Sequence, residues 1–201
     1  MKLSWILSLA LLITPDANAF EINALGGLNY AAPTESLSGV DQAWTGDAAP
    51  TFGFDAMLPL FDLPLSLESG VWFETATSEH TLSNISSSRE THWTEVPLLL
   101  HFHFDPFISL GAGGYLSFAR GSVATTVNGV TLSQSFGAAQ IKDTDSGLLL
   151  DIRARLHVTP LLCFLLDARY QHGLSNLSTV STNLQNTRSI QVLAGASFEF
   201  L

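Results

Sequence analysis

Two histidines and a glutamate in one segment of the chain are the first candidates for chemistry. His101 and His103 are two residues apart, so in a β-strand both side chains point to the same face, and Glu95 falls on that face as well. Imidazole and carboxylate groups bind transition metals, but no third close ligand accompanies the histidine pair. We therefore expect histidines in hydrogen-bond networks, with no metal and no cofactor.

Catalysis by a serine or by a phosphate-binding loop has less support. His157 and His172 can act as bases and serines are abundant, but no nucleophile motif surrounds any of them. The glycine-rich run at residues 111–114 is followed by no Lys-Ser or Lys-Thr pair, which a phosphate-binding loop requires. We expect a protein that is not an enzyme, and a lipid-modifying enzyme stays open as an alternative.

Charged side chains of both signs share the polar face of several alternating segments. A charge that faces lipid at mid-depth is costly, so in membrane strands these groups are expected to face inward and pair. Asp167 and Arg169 are predicted to join Arg153 or Arg155 in an internal network. The complete set predicted for this structural network is Glu68, Glu95, Asp151, Arg153, Arg155, Asp167 and Arg169.

The elements that must position these residues follow from a two-residue periodicity. Apolar and polar residues alternate through eight segments, and each reaches the roughly 9–11 residues that a tilted strand needs to cross a bilayer. In residues 147–158, for example, Leu148 and Leu150 alternate with Asp151 and Arg153. The predicted strands cover residues 20–30, 50–58, 65–77, 92–104, 107–119, 147–158, 162–174 and 187–200.

The connections between these segments alternate between long polar loops and short turns. The short turns are residues 59–64, 105–106 and 159–161, and the longest loop is residues 120–145. Outer-membrane barrels have short periplasmic turns and long external loops. A soluble lipocalin would instead place its polar face outside. The sequence therefore predicts an all-β fold, an eight-stranded antiparallel up-and-down transmembrane β-barrel with its charged face in the lumen.

Aromatic residues near the strand ends predict two girdles at the membrane interfaces. Amphipathic rings favour the level of the lipid headgroups, so they collect at both ends of membrane strands. The residues predicted for the periplasmic girdle are Phe20, Phe61, Phe104, Phe107, Phe198 and Phe200. Those predicted for the outer girdle are Tyr30, Phe52, Trp93, Phe118 and Tyr170.

One proline lies inside a predicted strand. Pro97 has no backbone N–H to donate to a neighbouring strand, and a closed barrel has no free edge on which to place it. We therefore predict a β-bulge beside Glu95 and Val96.

The composition supports strands rather than helices in the membrane. Hydrophobic residues make up 46% of the chain and charged residues only 13%, against a usual charged share of about a quarter. Yet beyond residue 13 no apolar run approaches the roughly 20 residues that a membrane helix needs. Acidic residues outnumber basic ones 18 to 8, which disfavours a nucleic-acid partner.

The first residues have the pattern of a signal peptide. Lys2 precedes an apolar run at residues 3–13, and residues 17–19 read Ala-Asn-Ala, as at a signal-peptidase site. A short membrane anchor is the alternative. The predicted domains are a signal peptide at residues 1–19 and a barrel at residues 20–201. Cys163 is the single cysteine, so no internal disulfide is expected.

Several segments resemble the PorT-like outer-membrane β-barrel domain family. Residues 93–104 read WTEVPLLLHFHF, residues 106–115 read PFISLGAGGY, and residues 167–176 read DARYQHGLSN. They are followed by NTRSI at residues 186–190 and GASFEF at residues 195–200. The resemblance covers most of the chain after the signal peptide, in order. It implies a barrel in the cell outer membrane of a Gram-negative bacterium and brings no assigned biochemical activity.

The last predicted strand is similar to the C-terminal signal that the barrel assembly machinery reads. Gly195, Phe198 and Phe200 match that signal, whereas Leu201 follows the terminal aromatic and Leu193 stands where a polar residue is usual. The expected partners are this machinery and outer-membrane lipid, with the protein itself a monomer. A structural or surface-interaction role is the leading expectation, and a narrow passive pore is the alternative beside the lipid-modifying enzyme.

Overall fold

The computed structural model describes residues 20–37, 40–60, 63–82, 85–180 and 182–200. Within these ranges there are twelve β-strands, and none of the described residues builds a helix that is long and apolar enough to span a membrane. The predicted signal peptide and Phe61 lie outside the described residues. The strands are β1 (Phe20–Ala31), β2 (Thr34–Leu37), β3 (Val40–Ala43), β4 (Thr45–Pro59), β5 (Leu65–Leu82), β6 (Ile85–His103), β7 (Ile108–Val127), β8 (Val130–Gln134), β9 (Thr144–Thr159), β10 (Leu162–Gly173), β11 (Asn183–Asn186) and β12 (Arg188–Phe200).

Eight of these strands close into an antiparallel barrel. Strands β1, β4, β5, β6, β7, β9, β10 and β12 each pair with the next, and β12 pairs with β1 from Phe20–Phe200 to Ala31–Ser189. The remaining four strands are short and lie at the end of the barrel with the long connections. The predicted eight-stranded antiparallel barrel is confirmed.

Burial alternates along each barrel strand with the period of the sequence pattern. In β9, Leu149 and Arg153 are fully buried, while Leu148 and Leu150 are half exposed on the outer face. Successive side chains of a strand point to opposite sides of a sheet, so one register places most polar groups inside and most apolar groups outside. The core of this protein is therefore polar, and its surface is apolar.

The strands extend well beyond the segments predicted from alternation. Strand β5 continues to Leu82, β6 begins at Ile85 and β7 continues to Val127, in regions that were expected to be loops. A tight turn at Asn128 and Gly129, which have φ of 50° and 80°, joins β7 to β8. These extensions lack an apolar face, so a search for alternating hydrophobic residues does not detect them.

The bulge predicted beside Pro97 is wrong. On one side, Val96, Pro97 and Leu98 pair with β7 without interruption. On the other side, the pairing with β5 keeps one register from Ser69–Leu98 to Trp72–Glu95 and skips only the two positions between them. The strand therefore tolerates the proline by giving up local pairing on one side, and the Ser69 hydroxyl donates to the Pro97 carbonyl at 2.8 Å.

The outer aromatic girdle differs from its prediction at one residue. Tyr30, Phe52, Phe118 and Tyr170 are 40–51% exposed on the outer face. Trp93 instead points into the barrel mouth and is only 8% exposed. Its position in the sequence has inward parity, with Glu95 and Leu99, so the prediction from nearness to a strand end was wrong for this residue.

Candidate functional site

The middle of the lumen holds two arginines among four carboxylates, and we call these six residues and His101 the central network. Arg153 lies 2.8 Å from Asp167 and 2.9 Å from Glu68, measured between Nη2 and carboxylate oxygens. Arg169 lies 2.7 Å from Glu68 and 3.2 Å from Asp151. All of these side chains are completely buried. The fourth carboxylate, Asp55, is 3.6 Å from Arg153.

The strand register explains why these opposite charges meet. Arg153 on β9 stands directly across from Asp167 on β10, and Asp151 stands across from Arg169 in the same ladder. Facing cross-strand side chains are near neighbours, so each arginine meets a carboxylate without any distortion of the backbone. The Arg169 guanidinium also lies 4.1 Å above the ring of Trp72, which is fully buried.

Two members of the central network were not in the predicted set. Asp55 accepts a hydrogen bond of 2.6 Å from Asn23, and His101 Nε2 lies 2.9 Å from Glu68. Both have the inward parity of their strands, so the alternation itself could have identified them. Gly111 makes room for this histidine, because a Cβ atom there would lie 2.7 Å from the imidazole.

Arg155 belongs to a separate layer at the periplasmic end. Its Nη1 atom donates to Glu21 at 3.0 Å, and among the described residues it forms no ion pair with Asp167. In the same layer His157 lies 2.9 Å from Glu199. Of the two arginines predicted as alternatives, Arg153 is therefore the one that joins Asp167 and Arg169 among the described residues, and Arg155 lies at the periplasmic rim.

Glu95 belongs to a third layer, nearer the external end, where amides replace guanidiniums. Gln171 and Ser117 donate to Glu95, the latter at 3.3 Å. Gln191 donates to the neighbouring Glu74 at 2.5 Å. No ion pair involves either glutamate among the described residues. A cavity of about 60 Å³ lies beside this layer.

Apolar side chains seal the lumen above and beside the polar layers. Leu99, Tyr115 and Leu149 form one buried cluster, and Leu25, Trp72 and Leu193 lie in another with Cys163 and Leu165. At the external mouth, Phe136 and Ile141 of the β8–β9 connection join a buried apolar cluster that we call the plug. The plug consists of Trp93, Val123, Phe136, Ile141 and Leu177.

The histidines and the glutamate first considered as metal ligands do not form one site. His101 contacts Glu68, His103 Nε2 lies 2.6 Å from Ser66 Oγ, and Glu95 lies in the amide layer. Each of the three therefore has its own polar partner.

Two other groups place possible ligand atoms within 4.8 Å of one another, namely Glu68–His101–Asp151 and His157–Cys163–Glu199. Arg153 and Arg169 already contact Glu68, so the first group has cations of its own. The second group combines a thiol, an imidazole and a carboxylate, which are ligands that zinc accepts.

The outer face defines the class of protein. Along β9, for example, Leu148, Leu150, Ile152 and Leu156 point outward and are 50–62% exposed. Uncharged bands of this kind occur on every barrel strand, and a closed barrel leaves no unpaired edge in the hydrocarbon. The chain is a transmembrane β-barrel of the outer-membrane type, located in the cell outer membrane.

Solved outer-membrane proteins share this fold. The outer membrane protein OprG from Pseudomonas aeruginosa is 14% identical, with 91% of this chain and 96% of that chain aligned at a TM-score of 0.56. Neisserial surface protein A is 16% identical, with 90% and 97% aligned at a TM-score of 0.50. No family model and no curated protein matches the chain. At this level of identity the likeness concerns the fold alone.

Proposed function

We propose that this protein is a structural or surface-interaction barrel of the outer membrane, with neither catalytic activity nor an open pore. The observation that carries the proposal is the filled lumen. Arg153, Glu68 and Arg169 occupy its middle with no exposed surface, and the apolar plug covers the external mouth. Small barrels of eight strands are filled by side chains in this way.

The external end supplies surface for contacts. The β7–β8 hairpin projects there with Val130 72% and Leu132 61% exposed. A separate small sheet, of β2, β3 and β11, has the strand order β11-β2-β3. Its strand β2 carries Glu35, which lies 3.8 Å from Arg89 of the β5–β6 hairpin. We propose a monomer that offers these two structured surfaces outside the membrane.

Membership of the PorT-like family is part of the proposal. Residues 167–173 of the first motif form the second half of β10, with Arg169 in the lumen and Tyr170 on the outer face. The glycine-rich motif falls on β7, where Gly113 approaches β6 closely. A Cβ atom at Gly113 would lie 2.9 Å from the Leu99 Cα atom. The lumen position of Arg169 and the close packing of Gly113 against β6 thus give both motifs a structural role in this barrel, which supports the proposed family membership.

The proposed assembly partner is the barrel assembly machinery. Phe198 and Phe200 are 53% and 52% exposed on the outer face of β12, where a partner can reach them. Gly195 lies against β1, and a Cβ atom there would be 2.8 Å from the Leu25 Cα atom. Gly195 thus allows β12 to pack closely against β1, and the two phenylalanines are exposed for contact with the machinery.

Conductance in planar bilayers tests the closed lumen. The full-length barrel is expected to show no stepwise ionic current, because buried side chains occupy the path. A double variant, Trp72→Ala with Arg169→Ser, removes two large lumen side chains. It is the positive control, in which an ionic current is expected. Reproducible single-channel steps from the unmodified protein would contradict the proposal and favour the narrow pore.

A further inference from the structure

Two arginines on the outer face of the barrel have no carboxylate partner among the residues that the structure describes. Of the 8 lysines and arginines in the sequence, seven lie among the described residues. Arg89, Arg153, Arg155 and Arg169 each lie within 4.0 Å of a carboxylate, and Lys142 donates to the Asn176 carbonyl at 2.6 Å. That leaves Arg120 and Arg188, both exposed, with Arg188 at the external end of β12 and Arg120 within the external half of β7.

Arg188 stands beside a histidine on the same face. In the β10–β12 ladder, His172 is directly opposite Arg188, and both point outward. The imidazole stacks on the ring of Tyr170, with centroids 6.5 Å apart and an angle of 22°. A guanidinium, an imidazole and a phenol therefore lie together at the upper limit of the apolar band, at the level where amphipathic rings meet lipid headgroups.

A depression in the apolar wall lies next to this group. It is lined by Ala112, Gly113, Leu148, Leu150, Tyr170 and His172. The β7–β9 register explains the hollow, because Ala112 faces Leu150 and Gly114 faces Leu148 across the ladder. Strand β7 thus offers small side chains where its neighbours β6 and β9 carry leucine, so the wall is thinner there.

We propose that the depression and the His172–Arg188 pair bind one anionic, phosphate-bearing lipid of the outer leaflet. An acyl chain lies against Ala112 and Leu150, and the phosphate contacts the Arg188 guanidinium and the His172 imidazole. Guanidinium groups bind phosphate oxygens through two parallel hydrogen bonds, and no described carboxylate competes for Arg188. The inference rests on the proposed outer-membrane barrel with its long loops outside.

Arg120 provides a matched control within the same barrel. It also stands opposite a histidine, His92, in the β6–β7 ladder, and its guanidinium lies 5.1 Å above the ring of Phe73. The hollow beside it is lined by His92, Arg120 and Gly121, with no apolar side chain in the lining. The Glu90 carboxylate lies 3.2 Å from His92 and opposes an anion there. Loss of Arg120 therefore removes the same charge without touching the proposed site.

Native mass spectrometry of the full-length barrel tests the proposal. Phosphatidylglycerol and phosphatidylcholine with identical acyl chains are titrated in turn, and one bound phosphatidylglycerol is expected in preference. Arg188→Gln is expected to weaken phosphatidylglycerol binding about fivefold, the effect of one interfacial arginine. Ala112→Leu fills the depression and is expected to weaken both lipids. Arg120→Gln is expected to leave the binding within about twofold of the unmodified protein.

Each alternative result overturns the proposal in a recognisable way. Equal losses in Arg188→Gln and Arg120→Gln would indicate diffuse charge attraction, and unchanged binding in Ala112→Leu would exclude the depression. Displacement of the lipid by inorganic phosphate at equal concentration would indicate a site for free anions. A gel shift between boiled and unboiled samples verifies that each variant is folded. Conductance is measured separately, so failure of the lipid site is distinguishable from failure of the closed barrel.

Discussion

The central network and the external amide layer both hold buried carboxylates in the lumen, but the carboxylates have different partners in the two layers. In the middle of the barrel, Glu68 lies between two arginines at 2.7 and 2.9 Å. Nearer the external end, Glu74 and Glu95 receive hydrogen bonds from Gln171 and Gln191. An ionised group in the first region depends on an opposite charge, whereas in the second region it depends on neutral donors. The two layers should therefore respond differently to the same chemical change.

The largest effect is expected when an arginine of the central network is removed. Arg153→Leu leaves Glu68 and Asp167 with one guanidinium between them, and breaking a buried ion pair by removing one partner costs about 3–5 kcal/mol. The variant is expected to unfold at lower urea concentration, as read from the heat-modifiable gel shift. Arg120→Gln on the outer face is the control. Unchanged urea resistance in Arg153→Leu would show that the network does not stabilise the barrel.

A smaller effect is expected when the charge of one central carboxylate is removed. Glu68→Gln keeps the shape of the side chain but takes away the anion that Arg153 and Arg169 share. Hydrogen bonds to charged groups contribute about 1.5–3 kcal/mol, and the free energy of unfolding should fall by that order. Urea titration of the folded fraction measures it. A more stable variant would mean that the central network holds excess negative charge.

The smallest effect is expected for the same substitution in the amide layer. Glu95→Gln keeps an oxygen that accepts from Ser117 and Gln171. The free energy of unfolding is therefore expected to fall by no more than the contribution of one ordinary hydrogen bond, about 1 kcal/mol. The same urea titration compares this variant with Glu68→Gln directly. If the loss at Glu95 equalled or exceeded the loss at Glu68, the proposed distinction between the two layers would be wrong.

The sequence reveals the inward parity of the lumen residues but not their partners. Alternation identifies Arg153, Asp167 and Arg169 as one face, because the period of a strand fixes which side each residue takes. It does not show that Arg155 meets Glu21, a contact across 134 residues that depends on barrel closure. Partners of that kind follow from the shear of the closed sheet, which no local pattern encodes.

The external half is less predictable for a different reason. The plug joins Trp93, Phe136 and Leu177 from a strand and two connections, and no periodicity links them. The outward histidine and arginine at residues 172 and 188 were similarly invisible as a pair, because their meeting depends on the β10–β12 register. Alternation therefore predicted the membrane-spanning part well and the external part only as polar loops.

Cys163 has a consequence for the protein's passage through an oxidising compartment. Its thiol is completely buried in the closed barrel, and it is the single cysteine of the sequence. Oxidation and thiol exchange require access to the sulfur, so the folded protein is shielded from both. Only the unassembled chain exposes this sulfur to oxidants and thiol reagents. The fraction of chains that such a reagent labels would therefore report how much protein is still unassembled, because labelling ends once β9, β10 and β12 close around the residue.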